Sequence, residues 1–233
     1  MQQVILSCFY IMRLFRESGV VIAYHYGNNT ALLGNITYMD LVFQIWGGLF
    51  YLTNKICFAL AEGKDNNRKR QLKIFGWIIY ILGVPAWVTI LIIKHDWIAA
   101  SIEAGGLPAM LFGLFNVYKN SEKPNRFFDI IASFFTYAFI LFGTGYSLYD
   151  YGGITSISQL LEIGVMIGFL LGSYLLAKNR PYGWLFFMIM NLSMGALMII
   201  QNKPILAFQQ AASLCFVVYG FTTAIKVGRG QHR

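Results

Sequence analysis

The chain has 233 residues, of which 57% are hydrophobic and only 12% charged, with a formal net charge of +8. Soluble domains carry roughly 25% charged residues, so a water-soluble globular domain is excluded and an integral membrane protein is indicated. The basic excess points to anionic lipid headgroups rather than nucleic acid, because no aromatic–basic surface module accompanies it.

In chain order, residues 1–40 come first. Val4 to Phe15 is apolar but is interrupted by Arg13 and Arg16, and Gly27-Asn28-Asn29 breaks the next apolar stretch. Neither stretch reaches the roughly 20 residues a spanning helix needs, so the segment reads as extracytoplasmic and interfacial. A signal peptide would place its charge before the apolar run rather than after it. Seven apolar segments come next, at about 41–61, 75–93, 99–118, 128–148, 157–177, 183–200 and 205–226. The expected fold is therefore all-α, with seven transmembrane helices.

Basic residues set the expected orientation. Lys64, Arg68, Lys69, Arg70 and Lys73 follow helix 1; Lys119, Lys123 and Arg126 follow helix 3; Lys178 and Arg180 follow helix 5; Lys226, Arg229 and Arg233 close the chain. The alternate turns hold only Lys94 and Lys203. All four basic connections should be cytoplasmic, with the N-terminus outside. The basic run at 64–73 reads as a determinant of topology rather than a ligand site.

The second half of the chain repeats the first without a gap at an offset of 107: Gly76-Trp77 returns as Gly183-Trp184, Ile92-Ile93 as Ile199-Ile200, Gly113 as Gly220 and Lys119 as Lys226. A third segment precedes each copy at an offset of 118, where Gln44-Ile45 and Ala59 align with Glu162-Ile163 and Ala177. Parallel triplets require one intervening helix. The expected organisation is an N-terminal segment at 1–40, a first three-helix repeat at 41–118, a linker with the central helix at 119–156, a second repeat at 157–226 and a basic tail at 227–233, a 3+1+3 plan of parallel repeats.

No soluble-enzyme signature appears. His25, His95 and His232 lie in separate terminal or turn regions, Ser193 and Ser213 lack a histidine at membrane depth, and Cys8, Cys57 and Cys215 are scattered. Neither catalysis, a metal nor a cofactor is expected. The feature that stands out is a set of polar and aromatic residues inside the second repeat. Trp184, Phe187 and Asn191 share one helical face, Gln201 follows near the outer end, and helix 7 adds Gln209, Gln210, Ser213 and Tyr219-Gly220. Trp77 is the repeat-mate of Trp184. Glu162 begins helix 5, with Gln44 at the equivalent place in helix 1, and Glu103 begins helix 3. Buried amides either join helices or face a wet interior, and both readings stand for each residue. The two glutamates read either as first-turn residues favoured by the helix dipole or as attractors of a cationic ligand. As a cluster, aromatic faces beside amides suit a flat, polar, ring-containing solute. Lys55, mid-helix beside Asn54, needs a carbonyl or carboxylate partner.

Over Lys178–Lys226 the chain resembles the PnuC family of bacterial vitamin transporters. Trp184-Leu-Phe-Phe187-Met-Ile-Met-Asn191 is similar to that family's two tryptophans three apart followed by an asparagine, Gln201 fits its turn glutamine, Gln209 a polar position, and Tyr219-Gly220 the Tyr-Gly before the last basic residues. Glu162 matches an acidic position, and the 3+1+3 plan extends the likeness to about 41–226. The resemblance implies a SWEET-like fold with a site between two three-helix bundles, and facilitated diffusion of nicotinamide riboside across a bacterial inner membrane. A separate cytoplasmic kinase would trap the product, and the possibility of a homo-oligomer stays open. Phe187 stands in place of the second tryptophan, Val84 where the first repeat often has Asn, and Gln44 in place of an acid. Thiamine is the alternative vitamin. A SWEET-type sugar carrier is disfavoured by the placement of Pro85, Pro108 and Pro204, and a membrane enzyme by the missing nucleophile–base pair.

Overall fold

Hydrocarbon offers no water to backbone amides and carbonyls, so an apolar run inside it pairs them within its own helix. The computed structural model describes residues 30–93, 97–120, 124–200 and 204–230, with side chains given except at 30–41, 44, 90, 204–206 and 229–230. Its helices are α1 (Thr30–Ala61), α2 (Asn66–Ile93), α3 (Trp97–Gly105), α4 (Leu107–Lys119), α5 (Arg126–Tyr151), α6 (Ile157–Ala177), α7 (Gly183–Ile200) and α8 (Pro204–Gly230). Six spans are long and apolar enough to cross a membrane, with α3 and α4 counting as one, and Ile45–Ala61 within α1 is a shorter apolar stretch. The chain is a multi-pass, all-α membrane protein.

Two boundaries differ from expectation. Residues 1–29 lie outside the described residues, but the rest of the segment taken as interfacial, from Thr30 on, continues into the first spanning helix. Nothing between Thr30 and Ala61 other than scattered glycines interrupts that helix. The third span is divided at Gly105-Gly106, one turn where Met110 N bonds to Gly106 O at 3.2 Å. Pro108 supplies no N–H and its ring crowds the preceding turn, which places a break just ahead of it.

Sequence-local signals end the other helices. The Asn125 side chain caps α5 through Phe127 N, and the Ser156 side chain caps α6 through Gln159 N. Gly152, with φ of 68°, closes α5 in a left-handed conformation that L residues rarely adopt.

In the bundle, α1 packs on α2, and α7 lies between α6 and α8. α2 also meets α3 and α4, while α1 with α8 and α4 with α6 join the two ends of the chain. α5 packs against α3, α4 and α6. Only 17% of its most apolar window is buried against 61% for α6, so α5 is peripheral and α6 central.

The basic connections meet at one end of the bundle. Arg70 donates to Tyr118 O at 2.6 Å, at the C-terminal turn of α4, and to Val117 O at 3.2 Å, which also accepts from Asn120 N. Lys73 reaches Asn179 Oδ1 at 3.4 Å. Lys178 donates to Asp129 Oδ2 at 2.9 Å, and the Tyr174 hydroxyl donates to Asp129 Oδ1 at 2.7 Å. Desolvation pulls the Lys178 pKa down, but the bonds to Asp129 and Tyr174 outweigh it and hold the ammonium above its usual value.

Helices α6 and α7 approach through Gly168, where an added Cβ would stand 2.6 Å from Phe186 O and 2.9 Å from Met190 N. Backbone cannot swing aside as a side chain can. Gly168→Val should therefore destabilise the protein by about 1–3 kcal/mol, read as a lowered melting temperature in detergent. Gly145→Val, where nothing lies within 4 Å, is the control and should melt close to the parent; equal melting of both variants would contradict this contact.

Candidate functional site

A cavity of about 570 Å³ opens at the basic end, where α1, α2, α4, α6, α7 and α8 surround it. Lys69, Arg70, Lys73 and Arg180 line it with Glu62 and four asparagines. Glu62, on the last turn of α1, holds Lys69 at 3.0 Å and Lys73 at 3.2 Å. The 64–73 run, expected to serve topology alone, thus also supplies a cavity wall. Its position at the start of α2 brings it there, one turn from Glu62.

Trp184 forms part of the cavity floor. Beneath it, Trp184, Trp77, Phe58 and Leu176 leave only about 10 Å³, room for one water at most. Each indole sits in a notch made by a glycine: a Cβ on Gly113 would collide with Trp77, and one on Gly220 with Trp184. Phe58 meets Trp77 edge-on at 4.7 Å. The cavity ends at this layer.

Deeper in the bundle lies a buried polar layer. Lys55 is fully buried on α1, and its Nζ stands 2.6 Å from the centroid of the Phe187 ring and 5.3 Å from that of Tyr51. The carbonyl or carboxylate partner expected for it is absent among the described residues. The aromatic face of Phe187 on α7 takes that place. The Tyr51 hydroxyl contacts Met190 Sδ at 3.9 Å and lies beside Asn191 and Ser213. Tyr80 and Ser173 share a hydrogen bond of 3.2 Å across α2 and α6.

Asn191 Nδ2 donates to Phe187 O, one turn back on its own helix, at 2.7 Å, while its Oδ1 has no partner. A bond within one helix does not join two. Interhelical attachment falls instead to Asn54, which donates to Gly76 O at 2.9 Å, and to Asn116, which donates to Ala177 O at 3.0 Å.

Of the residues singled out in the sequence, Trp184 and Phe187 meet edge-on at 6.4 Å, Asn191 lies on the same buried face, and Trp77 joins Trp184 at the closed layer. Gln210 is buried toward the opposite end with Oε1 unpartnered, whereas Gln209 is half-buried. Tyr219 is 50% exposed on the outer surface of α8, away from this group, because it precedes Gly220 and points off the opposite face. Glu162 and Glu103 lie beyond the first turns of α6 and α3 and are buried, so the helix-dipole reading does not describe them. Glu162 Oε2 has no partner. Gln201 lies outside the described residues, as does the side chain of Gln44. Sequence reasoning passed over Tyr51, Tyr80, Ser173 and Glu62. The repeat offsets could have flagged Tyr80 and Ser173 as the counterparts of Phe187 and Lys55.

No family model matches this chain, and neither a curated protein nor a solved structure does.

Replacing Glu62 by Gln would leave Lys73, only 13% exposed, without its counter-charge. The expected loss is about 1–3 kcal/mol, below the value for a fully buried pair because the cavity admits water. Thermal melting should show it, and Glu62→Gln with Lys73→Met should recover most of it. An unchanged melting temperature in the single variant would mean that the pair contributes nothing.

Proposed function

We propose that the chain is a passive membrane carrier of the PnuC type, built as 3+1+3 parallel repeats on a SWEET-like plan. It moves a flat, ring-containing vitamin or nucleoside, with nicotinamide riboside as the leading solute. The observation that supports it best is the cavity of about 570 Å³ ending on Trp184, with buried polar groups beneath the closed layer.

Matched contacts support the repeat plan. The Trp77–Gly113 contact and the Trp184–Gly220 contact stand 107 residues apart in both members. The Gly76 position abuts Phe58, and its counterpart Gly183 abuts Leu176, the residue offset by 118 from Phe58. Lys55 meets Phe187 where Ser173 meets Tyr80, at the same two offsets. Thiamine is the second reading, favoured by the unpartnered carboxylate oxygen of buried Glu162, which suits a cationic ring. Membrane crossing by facilitated diffusion needs no catalytic group, and a separate cytoplasmic kinase would retain the solute.

The cell membrane of a bacterium is the proposed location, with the basic end of the bundle cytoplasmic. A cysteine at Asn66, in that basic end, should be shielded from an impermeant thiol reagent in intact cells and react once they are opened. Labelling in intact cells would invert the topology.

Proteoliposomes should equilibrate nicotinamide riboside without an ion gradient, and Asn191→Leu and Trp184→Phe should each weaken binding by roughly 5- to 150-fold, about 1–3 kcal/mol. Phenylalanine is the milder change because Trp184→Ala would open a hole over Gly220. Accumulation above the external concentration would refute passive transport, and unaltered affinity in both variants would place the site elsewhere.

A further inference from the structure

We propose that Lys55 binds a carboxylate on the transported solute, so that an acidic or zwitterionic ring compound is preferred over its neutral-amide or purely cationic counterpart. The inference rests on the carrier reading above and departs from it on the solute alone, ranking an acidic ring compound ahead of nicotinamide riboside.

Lys55 is the anomaly of the buried layer. Its Nζ is fully enclosed, and no hydrogen-bond acceptor among the described residues reaches it. The face of Phe187 and the more distant Tyr51 ring are its polar compensation. A cation over a ring is worth less than the desolvation that an enclosed ammonium suffers, so the site is incomplete as it stands. An acceptor brought by a ligand would complete it. The counterpart position in the other half shows the contrast, since Ser173 and Tyr80 satisfy each other at 3.2 Å.

Among the described residues no carboxylate bonds Lys55; Glu103, buried on α3, acts electrostatically on Tyr51 and Tyr80 instead. Glu62 is held by Lys69 and Lys73 at the basic end. Glu162 lies 11 residues along α6 from Ser173, the counterpart of Lys55, about 16 Å at the helical rise. Asp129 is engaged by Lys178 and Tyr174.

The route to the layer has the same sign. Lys69, Arg70, Lys73 and Arg180 outnumber Glu62 around the cavity, so its potential draws an anionic group toward Trp184. Trp184 Nε1 is itself buried without an acceptor and offers a further donor on the way. A solute lacking negative charge would leave Lys55 unpaired and meet a basic vestibule.

A matched pair of probes isolates the effect: the ribosides of nicotinate and nicotinamide share ring and sugar and differ only in carboxylate against carboxamide. Binding of each to the purified full chain in nanodiscs would be measured by calorimetry. The wild type should hold the carboxylate compound roughly tenfold or more tighter. Lys55→Met should bring the two within about twofold, mainly by weakening the acid, and Lys55→Arg should keep the preference. Methionine matches the length and removes a buried charge, so melting should not fall; should it fail to fold, Lys55→Gln serves the same comparison. Both ribosides binding the wild type equally, or a preference that survives in Lys55→Met, would overturn the inference and leave the carrier reading standing. If neither riboside binds the wild type, the carrier reading for this solute class fails and the inference falls with it.

Discussion

Two buried indoles set the spacing of the bundle at its basic end. Trp77 fills the notch over Gly113 and Trp184 the notch over Gly220, and neither notch has room for a methyl group. Lipid tails are as apolar as leucine, so helices in a bilayer gain little from burial alone and associate through close backbone approach and contact area. Glycine supplies the approach and tryptophan the area. With the indoles in place, Phe58 and Leu176 have only the gap between them to occupy, and a passage that is wide above narrows to about 10 Å³. The Glu62 ion pairs with Lys69 and Lys73 then sit directly at this constriction.

Spans were legible in the sequence because length and hydropathy are local properties. The end of α6 and the start of α7 fall at the expected Ala177 and Gly183. Facing was legible where helical spacing decides it, as for Trp184, Phe187 and Asn191. Partners were not. Lys55 called for a carboxylate by charge alone, and the ring it met depends on the register of α1 against α7, which no local pattern encodes. Tyr219 followed from a dipeptide match, yet the burial of Gly220 under Trp184 turns its neighbour outward. Glu103 and Glu162 read as helix starts although the expected segments at 99 and 157 already place each about a turn inside, and the observed starts at Trp97 and Ile157 leave both buried.

Asn54 and Asn116 separate attachment from recognition. Each spends its amide donor on a carbonyl of a neighbouring helix, at Gly76 and Ala177, and so fixes a helix pair. Asn191 spends its donor on Phe187 of its own helix and keeps its oxygen unpaired. Ser213 Oγ and Lys55 Nζ are likewise buried and unpartnered. Buried polar atoms in folded proteins are normally satisfied, and leaving one unmade costs about 1–3 kcal/mol. Asn191, Ser213 and Lys55 are three such groups below the constriction, and a ligand that satisfies them would recover that cost.

Under the proposed repeat plan, the two halves agree where the cavity narrows and differ where the polar groups lie. At the constriction the matched contacts use the same residues, Trp77 with Gly113 and Trp184 with Gly220. In the layer below, Lys55 answers Ser173, Phe187 answers Tyr80, Asn191 answers Val84 and Ser213 answers Gly106. A gate formed by two related halves works best when both move alike, which favours identical packing on each side. A small solute has no two-fold symmetry, and its acidic, amide and ring portions each need a different neighbour. Under the carrier reading, divergence in polar character is therefore expected in the layer that touches the solute, whereas the constriction varies only between apolar residues, as Phe58 against Leu176. The same logic explains why Lys55 is tolerated in one half only: a second lysine at Ser173 would set two buried cations against one carboxylate, whereas the Ser173–Tyr80 bond leaves the opposite wall neutral and fully satisfied.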